Sequence, residues 1–273
     1  MIATVFLCSL SLATMPPLDP GIFDAGLIAG RGFEVALPVR DTSSPDWDSL
    51  YGSFRNRSQR IRLSVEVDRC KRPGARQRMI DNINSMMAFG TLDGWPTGGW
   101  SRLPAGDKSH SVYSRTSGSA HLYMFIGDYI LGAVMSYRGS GSPGNITWSG
   151  SDKPGDRAAV EGFCRDILAN AVGADLAPSA NVVVNGQVIT GVKRDSQGRR
   201  YVPLRDWCSA RNIALFANRP HGTGSFSHGG RNFVLAVASA KIKVGSNWVD
   251  LDGFTVRADG RWYAPFDGLE NAI

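Results

Sequence analysis

Histidine is scarce in this sequence, and its spacing excludes the common helical zinc motif. The chain has four histidines among 273 residues, namely His110, His121, His221 and His228. None stands four residues from another, and no H-E-x-x-H stretch occurs. His221 and His228 share a Gly/Ser-rich stretch that predicts a solvent-exposed loop, with a surface metal site as the alternative.

Motifs of nucleophilic catalysis and phosphate binding are also missing. No G-x-S-x-G elbow occurs. The stretch GTGSFSHGG lacks the lysine of a P-loop, and no G-x-G-x-x-G stretch opens a helix after a strand. Cys164 and Cys208 lie on the apolar faces of predicted helices, where packing is the expected role. We therefore expect no catalytic residue, metal or cofactor; a hydrolase with an unfamiliar site within residues 31–176 is the alternative.

Cysteine is too sparse for a disulfide-rich fold, and no C-x-x-C pair is present. The four cysteines are Cys8, Cys70, Cys164 and Cys208, and removal of an N-terminal signal would leave three. A Cys70–Cys164 disulfide is compatible with an oxidising compartment. Three buried free thiols fit the sequence equally well, since free cysteine behaves as a small hydrophobe.

The sequence has no apolar run long enough to span a bilayer. The longest one near the start, Ile2–Ala13, has about a dozen residues, whereas a spanning helix needs about 20. Residues 1–13 are typical of a secretory signal peptide, with Ser11-Leu12-Ala13 as the cleavage site. No Lys or Arg precedes Arg31, so a buried N-terminal strand is the alternative. We expect an extracytoplasmic protein that is secreted, periplasmic or associated with the cell wall.

Positive charge prevails, but it is dispersed. The formal net charge is +6, and arginines run from Arg31 to Arg261 without forming one stripe. The densest run lies between Arg55 and Arg78. A nucleic-acid reader would carry a concentrated basic face or a known module, so nucleic acid is not an expected partner and a solvated basic face is.

What the chain does contain is glycine, with 32 residues, which predicts many turns and a strand-rich architecture. Pro/Gly-rich residues 14–30 predict a linker, and a break at Gly173–Ala180 predicts a domain boundary. We therefore expect two domains: an α+β domain of unknown family over residues 31–176, built on an antiparallel sheet, and a small duplicated β-α domain over residues 181–273.

Hydrophobic spacing predicts the elements of the first domain. Alternation predicts strands, apolar residues at helical spacing predict helices, and Gly127-Asp128 between two apolar runs predicts a hairpin. The predicted strands are Phe33–Val39, Arg60–Asp68, Leu122–Ile126 and Tyr129–Tyr137, and the predicted helices are Pro45–Arg57, Ala75–Phe89 and Asp156–Val172.

An internal repeat is the most informative feature of the chain. The stretch GRRYVPLR from Gly198 recurs as GRWYAPFD from Gly260. Upstream, Val182–Ile189 is echoed by Ile242–Val249, displaced by two residues from the same register. Each copy predicts a β-hairpin, a Gly-Arg turn, a short strand and a helix that begins at the proline.

This duplicated pattern over residues 181–273 resembles the copper amine oxidase N-terminal-like (stalk) domain carried by many exported bacterial proteins. The residues that carry the resemblance are Gly198, Tyr201, Pro203, Leu204, Arg205, Gly260, Trp262, Tyr263, Pro265 and Phe266. It implies a small α+β stalk or interaction module that holds neither copper nor quinone. Two departures are a Gly/Ser-rich insertion over Asn218–Arg231, expected to be a flexible loop, and Asp267 where the family has arginine.

Tryptophans in the first domain suggest a binding face. Trp95, Trp100 and Trp148 can stack on sugar rings or anchor a partner, or they can cap a small core. We expect an exported, non-catalytic binding or scaffold protein of the cell envelope, with a cell-wall glycan or an envelope protein as partner. An extracytoplasmic sensor or small-ligand-binding protein is the alternative.

Overall fold

The chain folds as a mixed α and β protein with antiparallel sheets, which confirms the expected α+β class. The computed structural model describes residues 16–58, 61–72, 74–88, 108–114, 119–137, 154–218 and 222–273. The apolar run Ile2–Ala13 and the tryptophans Trp95, Trp100 and Trp148 lie outside the described residues. None of the helices described here is long and apolar enough to cross a membrane.

The first part of the chain forms a six-stranded sheet, called here the large sheet, in the order β1-β2-β3-β6-β5-β4. Its strands are β1 (Glu34–Asp41), β2 (Trp47–Asn56), β3 (Ile61–Cys70), β4 (Lys108–Ser114), β5 (Ser119–Ile126) and β6 (Tyr129–Tyr137). The helices α2 (Ala75–Ala88) and α3 (Pro154–Ala174) accompany it. The predicted strands and the helices predicted from Ala75 and Asp156 are confirmed. The sequence does not predict β4 as a strand of its own.

The helix predicted over Pro45–Arg57 is wrong, because these residues form β2. Leu50 and Phe54 point into the core beneath α3, while Trp47 packs on the opposite face with α2. Both faces of the strand are therefore covered in part, and apolar residues on both faces mimic a helical period. Ten residues of this segment pair with residues of β3, so the segment is a strand of the sheet.

The linker predicted over residues 14–30 is wrong for its described part, which packs into the core. Residues Pro20–Ile22 form a 3-10 turn, and Ala25–Gly30 form the helix α1. Asp19 and Asp24 cap the two elements by accepting hydrogen bonds from backbone amides. Leu18, Ile22, Phe23 and Ile28 join the core between α3 and the large sheet. Their burial holds this N-terminal segment in place.

The rest of the chain forms two five-stranded sheets, a separate hairpin and two short helices. The elements are β7 (Ala177–Pro178), β8 (Val182–Val184), β9 (Gln187–Ile189), β10 (Lys193–Arg194), β11 (Arg200–Pro203), α4 (Leu204–Ala210), β12 (Phe216–Asn218), β13 (Thr223–His228), β14 (Arg231–Ala236), β15 (Lys241–Val244), β16 (Asn247–Asp250), β17 (Val256–Ala258), β18 (Arg261–Pro265) and α5 (Phe266–Ala272). The sheet orders are β17-β18-β11-β10-β7 and β12-β13-β14-β15-β16.

The two copies of the repeat adopt the same local structure around a pseudo-twofold centre. Strand β11 pairs antiparallel with β18 so that Val202 stands opposite Ala264, its counterpart in the other copy. Pro203 and Pro265 both hold the position before a seven-residue helix, with φ of −58° in each. Proline suits this position because its missing N–H and fixed φ cost the helix start nothing. The copies therefore build one shared sheet with a helix starting from each central strand.

The flexible loop expected over Asn218–Arg231 is wrong where the structure describes it. Strands β13 and β14 form a hairpin whose turn holds Gly229 and Gly230 at positive φ. Phe226 and Phe233 stack across this hairpin in the core, at 4.8 Å between ring centroids. The Gly/Ser composition reflects a tight turn between strands with small exposed side chains.

Helix α3 contacts both halves of the chain. One side packs on the large sheet, and Gly173 lies against β17, where an added Cβ would stand 1.9 Å from the carbonyl oxygen of Arg257. Val237 and Ala238, far along the chain, belong to the same core cluster as α3. Continuous packing thus crosses the boundary that the sequence suggested near Gly173–Ala180, and the domain limits stay predictions.

Replacing Gly173 with alanine is expected to lower the free energy of unfolding by about 1–3 kcal/mol, because the methyl group must push α3 away from β17. Alanine is otherwise the better helix residue, so the loss would oppose its intrinsic propensity. Gly30→Ala in α1 is the matched control, since its methyl group meets nothing within 4 Å. Urea denaturation of both variants measures the difference, and equal stabilities would contradict the close contact.

Candidate functional site

A cleft of about 910 Å³ lies where the N-terminal segment, α3 and the repeat meet. Its floor is one stripe of α3, including Asp166, Asn170 and Gly173. One wall is the segment from Asp19 to Arg31. The opposite wall comes from the repeat and contributes Lys193, Pro203, Arg205, Leu215, Ala217, Arg257, Ala258, Asp259, Gly260, Arg261 and Trp262.

A buried carboxylate holds the cleft together. Asp166 accepts two charge-assisted hydrogen bonds at its Oδ2, from Nε and Nη2 of Arg31, at 2.8 and 2.5 Å. Its Oδ1 lies 2.9 Å from Nη2 of Arg257, a close ionic contact without hydrogen-bond geometry. The side chain of Asp166 is only 2% exposed. One carboxylate thus links the end of α1, α3 and β17, three segments far apart in sequence.

The other cations of the cleft are mostly paired as well. Lys193 lies 2.9 Å from Asp259, and Arg261 forms an ion pair with Asp206. Arg205, an exposed residue at the start of α4, has no ion pair among the described residues. The cleft therefore presents one guanidinium whose charge the described chain leaves unmatched.

Apolar and hydrogen-bonding groups complete the lining. Trp262 is half-buried, and the Arg257 guanidinium lies over its ring at 5.2 Å from the centroid. Leu27 and Leu215 add aliphatic surface. Asn170 donates a hydrogen bond to the carbonyl of Ile22 at 3.0 Å, which ties the N-terminal wall to the floor. The cleft can thus contact both an apolar body and polar substituents of a ligand.

The titratable groups of the described lining are carboxylates, guanidinium groups and the amine of Lys193. Serine, threonine, cysteine and histidine do not occur among its described residues. No group of three or more His, Cys, Asp or Glu side chains that could hold a metal ion occurs in the part of the chain that the structure describes.

The three described cysteines are free and buried, which settles the disulfide question. Cys70 lies on the outer face of the large sheet, whereas Cys164 lies in the core on the inner face, so the sheet separates them. Burial raises the pKa of Cys70 and of Cys208 to about 12. Burial raises the pKa of Cys164 too, so none of these thiols is activated for nucleophilic attack.

The repeat motif divides into structural and cleft-facing residues. Tyr201, Leu204, Tyr263 and Pro265 are buried in the C-terminal packing, and Phe266 lies beneath the guanidinium of Arg200. Gly198 and Gly260 take positive φ in turns, where glycine is favoured. Pro203, Arg205, Gly260 and Trp262 line the cleft.

The remaining candidates do not join this site within the described chain. Trp95, Trp100, Trp148 and His221 lie outside the described residues. His110 and His121 stand in β4 and β5, and His228 ends β13. His228 does not line the cleft.

Sequence reasoning missed Asp166, which the structure makes central. One signal was available: Asp166 stands three residues after Phe163 and one before Ile167, on the stripe of α3 that the apolar pattern predicts to be buried. A charged residue at such a position requires a partner of opposite charge. The partners Arg31 and Arg257 carried no comparable signal in their own surroundings.

The densest basic run also finds local partners instead of forming one charged face. Arg55 and Arg57 both pair with Glu34, and Arg72 pairs with Asp46 at 3.3 Å. Arg69 is buried and pairs with Asp48 at 2.7 Å. The run is therefore a set of separate ion pairs on and around the large sheet.

A buried aspartate lies on the outer face of the large sheet, away from the cleft. Asp68 accepts a hydrogen bond from the Ser49 hydroxyl at 2.5 Å. Burial raises the pKa of Asp68 to about 6, and the hydrogen bond from Ser49 opposes this while the charge of Glu66 adds to it. The folded chain therefore binds a proton at Asp68 more tightly than the unfolded chain does.

Comparisons with protein-family models, with curated proteins and with solved structures found no match to this chain.

Replacing Asp166 with asparagine is expected to lower the free energy of unfolding by about 3–5 kcal/mol, because it removes the carboxylate that faces the buried guanidinium of Arg31 and the partly buried one of Arg257. Asp206→Asn removes the carboxylate that pairs with Arg261. This pair is more exposed to solvent than the contacts of Asp166, so its loss is expected to cost less than about 1 kcal/mol. Urea denaturation compares the two variants. Equal losses would show that the Asp166 contacts are not the tie between the segments.

Replacing Asp68 with asparagine is expected to stabilise the protein in a pH-dependent way. The folded pKa of Asp68 is about 6 against an ordinary 3.8, so between these values the folded chain binds the proton more tightly and its stability falls as pH rises. The advantage of the variant should grow from near zero at pH 4 to roughly 2–3 kcal/mol at pH 7. Asp128→Asn, which removes an exposed carboxylate, is the control in denaturant melts. An advantage independent of pH would contradict the assignment.

Proposed function

We propose that this chain is an exported, non-catalytic binding or scaffold protein of the bacterial cell envelope. In this proposal residues 181–273 form a copper amine oxidase N-terminal-like module that acts as a stalk or interaction domain. The partner is a cell-wall glycan, and the cleft between α3 and the repeat is its binding site.

The observation that carries the proposal is the composition of the cleft. Motif residues of the repeat, Arg205 and Trp262 among them, face a cavity large enough for a drug-sized or disaccharide-sized ligand. Its described lining combines aliphatic, aromatic and charged groups and lacks the hydroxyl, thiol and imidazole groups used in covalent catalysis. Such a lining supports recognition of a ligand better than its chemical conversion.

The cleft also favours a second candidate, an extracytoplasmic sensor or small-ligand-binding protein. Its walls come from segments at the two ends of the described chain, from Asp19 in the N-terminal segment to Trp262 in the repeat. A ligand seated there would contact both walls and stabilise their packing in proportion to its affinity. The two candidates differ in whether the ligand is free or part of a polymer.

Sedimentation with purified bacterial peptidoglycan tests the first candidate. We expect the full chain to pellet with the polymer in 0.3 M NaCl, where the Debye length of about 5–6 Å weakens nonspecific attraction by the positive chain. A basic protein of similar isoelectric point that does not bind glycans should stay in the supernatant.

Two outcomes would contradict this proposal. Recovery of the chain in the supernatant at every salt concentration would remove the glycan partner. Release of soluble sugar or peptide fragments from the polymer would show catalysis and remove the non-catalytic part of the proposal.

A further inference from the structure

Arg205 stands apart from the other cations of the cleft. Asp166 holds Arg31 and Arg257, and Asp259 holds Lys193 at 2.9 Å. The neighbouring carboxylate of Asp206 is engaged by Arg261, and no described carboxylate pairs with Arg205. Arginine keeps its charge at all physiological pH values, so this exposed guanidinium carries a positive charge that an anion can bind.

The internal repeat indicates that the fold does not require an arginine at this position. Asp267 is the counterpart of Arg205 in the second copy, at the same second position of its helix. Asp267 is exposed and pairs with Arg200 at 2.9 Å, outside the cleft lining. The same local fold thus accepts opposite charges, and the positive one is the copy that faces the cleft. The packing of the repeat therefore does not require a positive charge at this position, and in the first copy that charge faces the cleft.

The surroundings of Arg205 restrict the ligand. Asp19 and Asp24, on the facing wall, each use Oδ1 to cap a backbone amide, at 2.8 and 2.6 Å, and their Oδ2 atoms accept no hydrogen bond among the described residues. Carboxylate oxygens accept hydrogen bonds from hydroxyl groups. Trp262 and Leu215 provide an apolar surface in the same cleft. A ligand that satisfies these groups has one anionic group, several hydroxyl groups and a ring-sized body.

We propose that Arg205 binds the carboxylate of an acidic sugar, with the sugar body lying along Trp262 and its hydroxyl groups directed to the acidic wall. A guanidinium and a carboxylate form two parallel charge-assisted hydrogen bonds, whereas the hydroxyl groups of a neutral sugar accept hydrogen bonds without a charge. This inference rests on the proposed glycan-binding function and names the feature of the glycan that the cleft selects.

The test compares two sugars that differ in the carboxylate. Glucuronic acid carries a carboxylate at C6, where glucose has a hydroxymethyl group, and both are titrated calorimetrically into the full chain. We expect the acid to bind at least about tenfold more tightly, as a charged hydrogen bond worth about 1.5–3 kcal/mol implies. The variant Arg205→Ala should bind the acid only as weakly as the wild-type chain binds the neutral sugar.

Arg194→Ala is the matched control, since Arg194 is also exposed, forms no ion pair among the described residues and lies outside the cleft lining. It should bind both sugars like the wild-type chain. Arg205 makes no described ion pair, so its replacement should leave the melting temperature unchanged and separate binding from folding. Inorganic phosphate at equal ionic strength is added as a competitor, and it should displace little of the acid.

The outcomes separate this inference from the function on which it rests. Equal binding of the acid by Arg205→Ala and wild type would overturn the role of Arg205, while retention on peptidoglycan would still support the glycan partner. Displacement by phosphate at equal concentration would overturn the choice of a carboxylate. Arg205-dependent binding of the free acid without retention on the polymer would keep the binding residue and overturn the envelope function.

Discussion

The position of one buried carboxylate governs how the parts of this chain are joined. Asp166 lies in α3 with 2% of its side chain exposed, between Arg31 at the end of the N-terminal segment and Arg257 in β17. An isolated charge at such a site would carry a large desolvation penalty, so the ionised aspartate is stable only while its guanidinium partners stay in place. The contacts are directional, because Nε and Nη2 of Arg31 both donate to Oδ2 of Asp166 while Oδ1 lies beside Arg257. Apolar packing brings the segments together, and the ionic contacts fix their register, which also fixes the walls of the cleft.

The duplicated repeat shows how a symmetric fold can carry an asymmetric site. Val202 and Ala264 face each other at the centre of the shared sheet, and the prolines that follow start equivalent helices. Residues that build this symmetry are buried and similar in the two copies. Outside this buried set the copies differ: exposed Arg205 corresponds to exposed Asp267, and exposed Arg200 corresponds to half-buried Trp262. Only one edge of the repeat meets α3, so only one copy of each exposed position can take part in the cleft. Residues outside the buried core of the repeat can therefore differ between the copies and acquire a function without disturbing the packing.

Much of the fold follows from local sequence signals, and the failures have identifiable causes. The hairpin at Gly127-Asp128, the amphipathic helix α3 and the two halves of the repeat were predicted because each is specified by neighbours in sequence. Strand β2 has apolar partners on both faces, so its apolar residues follow a helical spacing and the sequence predicts a helix there. The segment 14–30 contains four core residues, but its glycines and prolines are typical of a linker, and the sequence therefore predicts a linker there. Of the site, Arg205 and Trp262 were singled out as motif residues, but the Asp166–Arg31 pair joins residues 135 positions apart, which no periodicity reports.

The location of the cleft has a consequence for how a ligand would act. Its walls belong to segments that are joined mainly through α3, by apolar contacts, by Gly173 against β17 and by the Asp166 ion pairs. A ligand that contacts both walls adds a further connection between them, and binding energy appears as added stability of the joined state. By the same linkage, any change that loosens the joint lowers the fraction of molecules with a complete cleft and weakens apparent affinity in proportion. The residues that hold the segments together therefore belong to the binding function as much as those that touch the ligand, and substitutions at Asp166 would weaken binding even though its carboxylate is already occupied by Arg31 and Arg257.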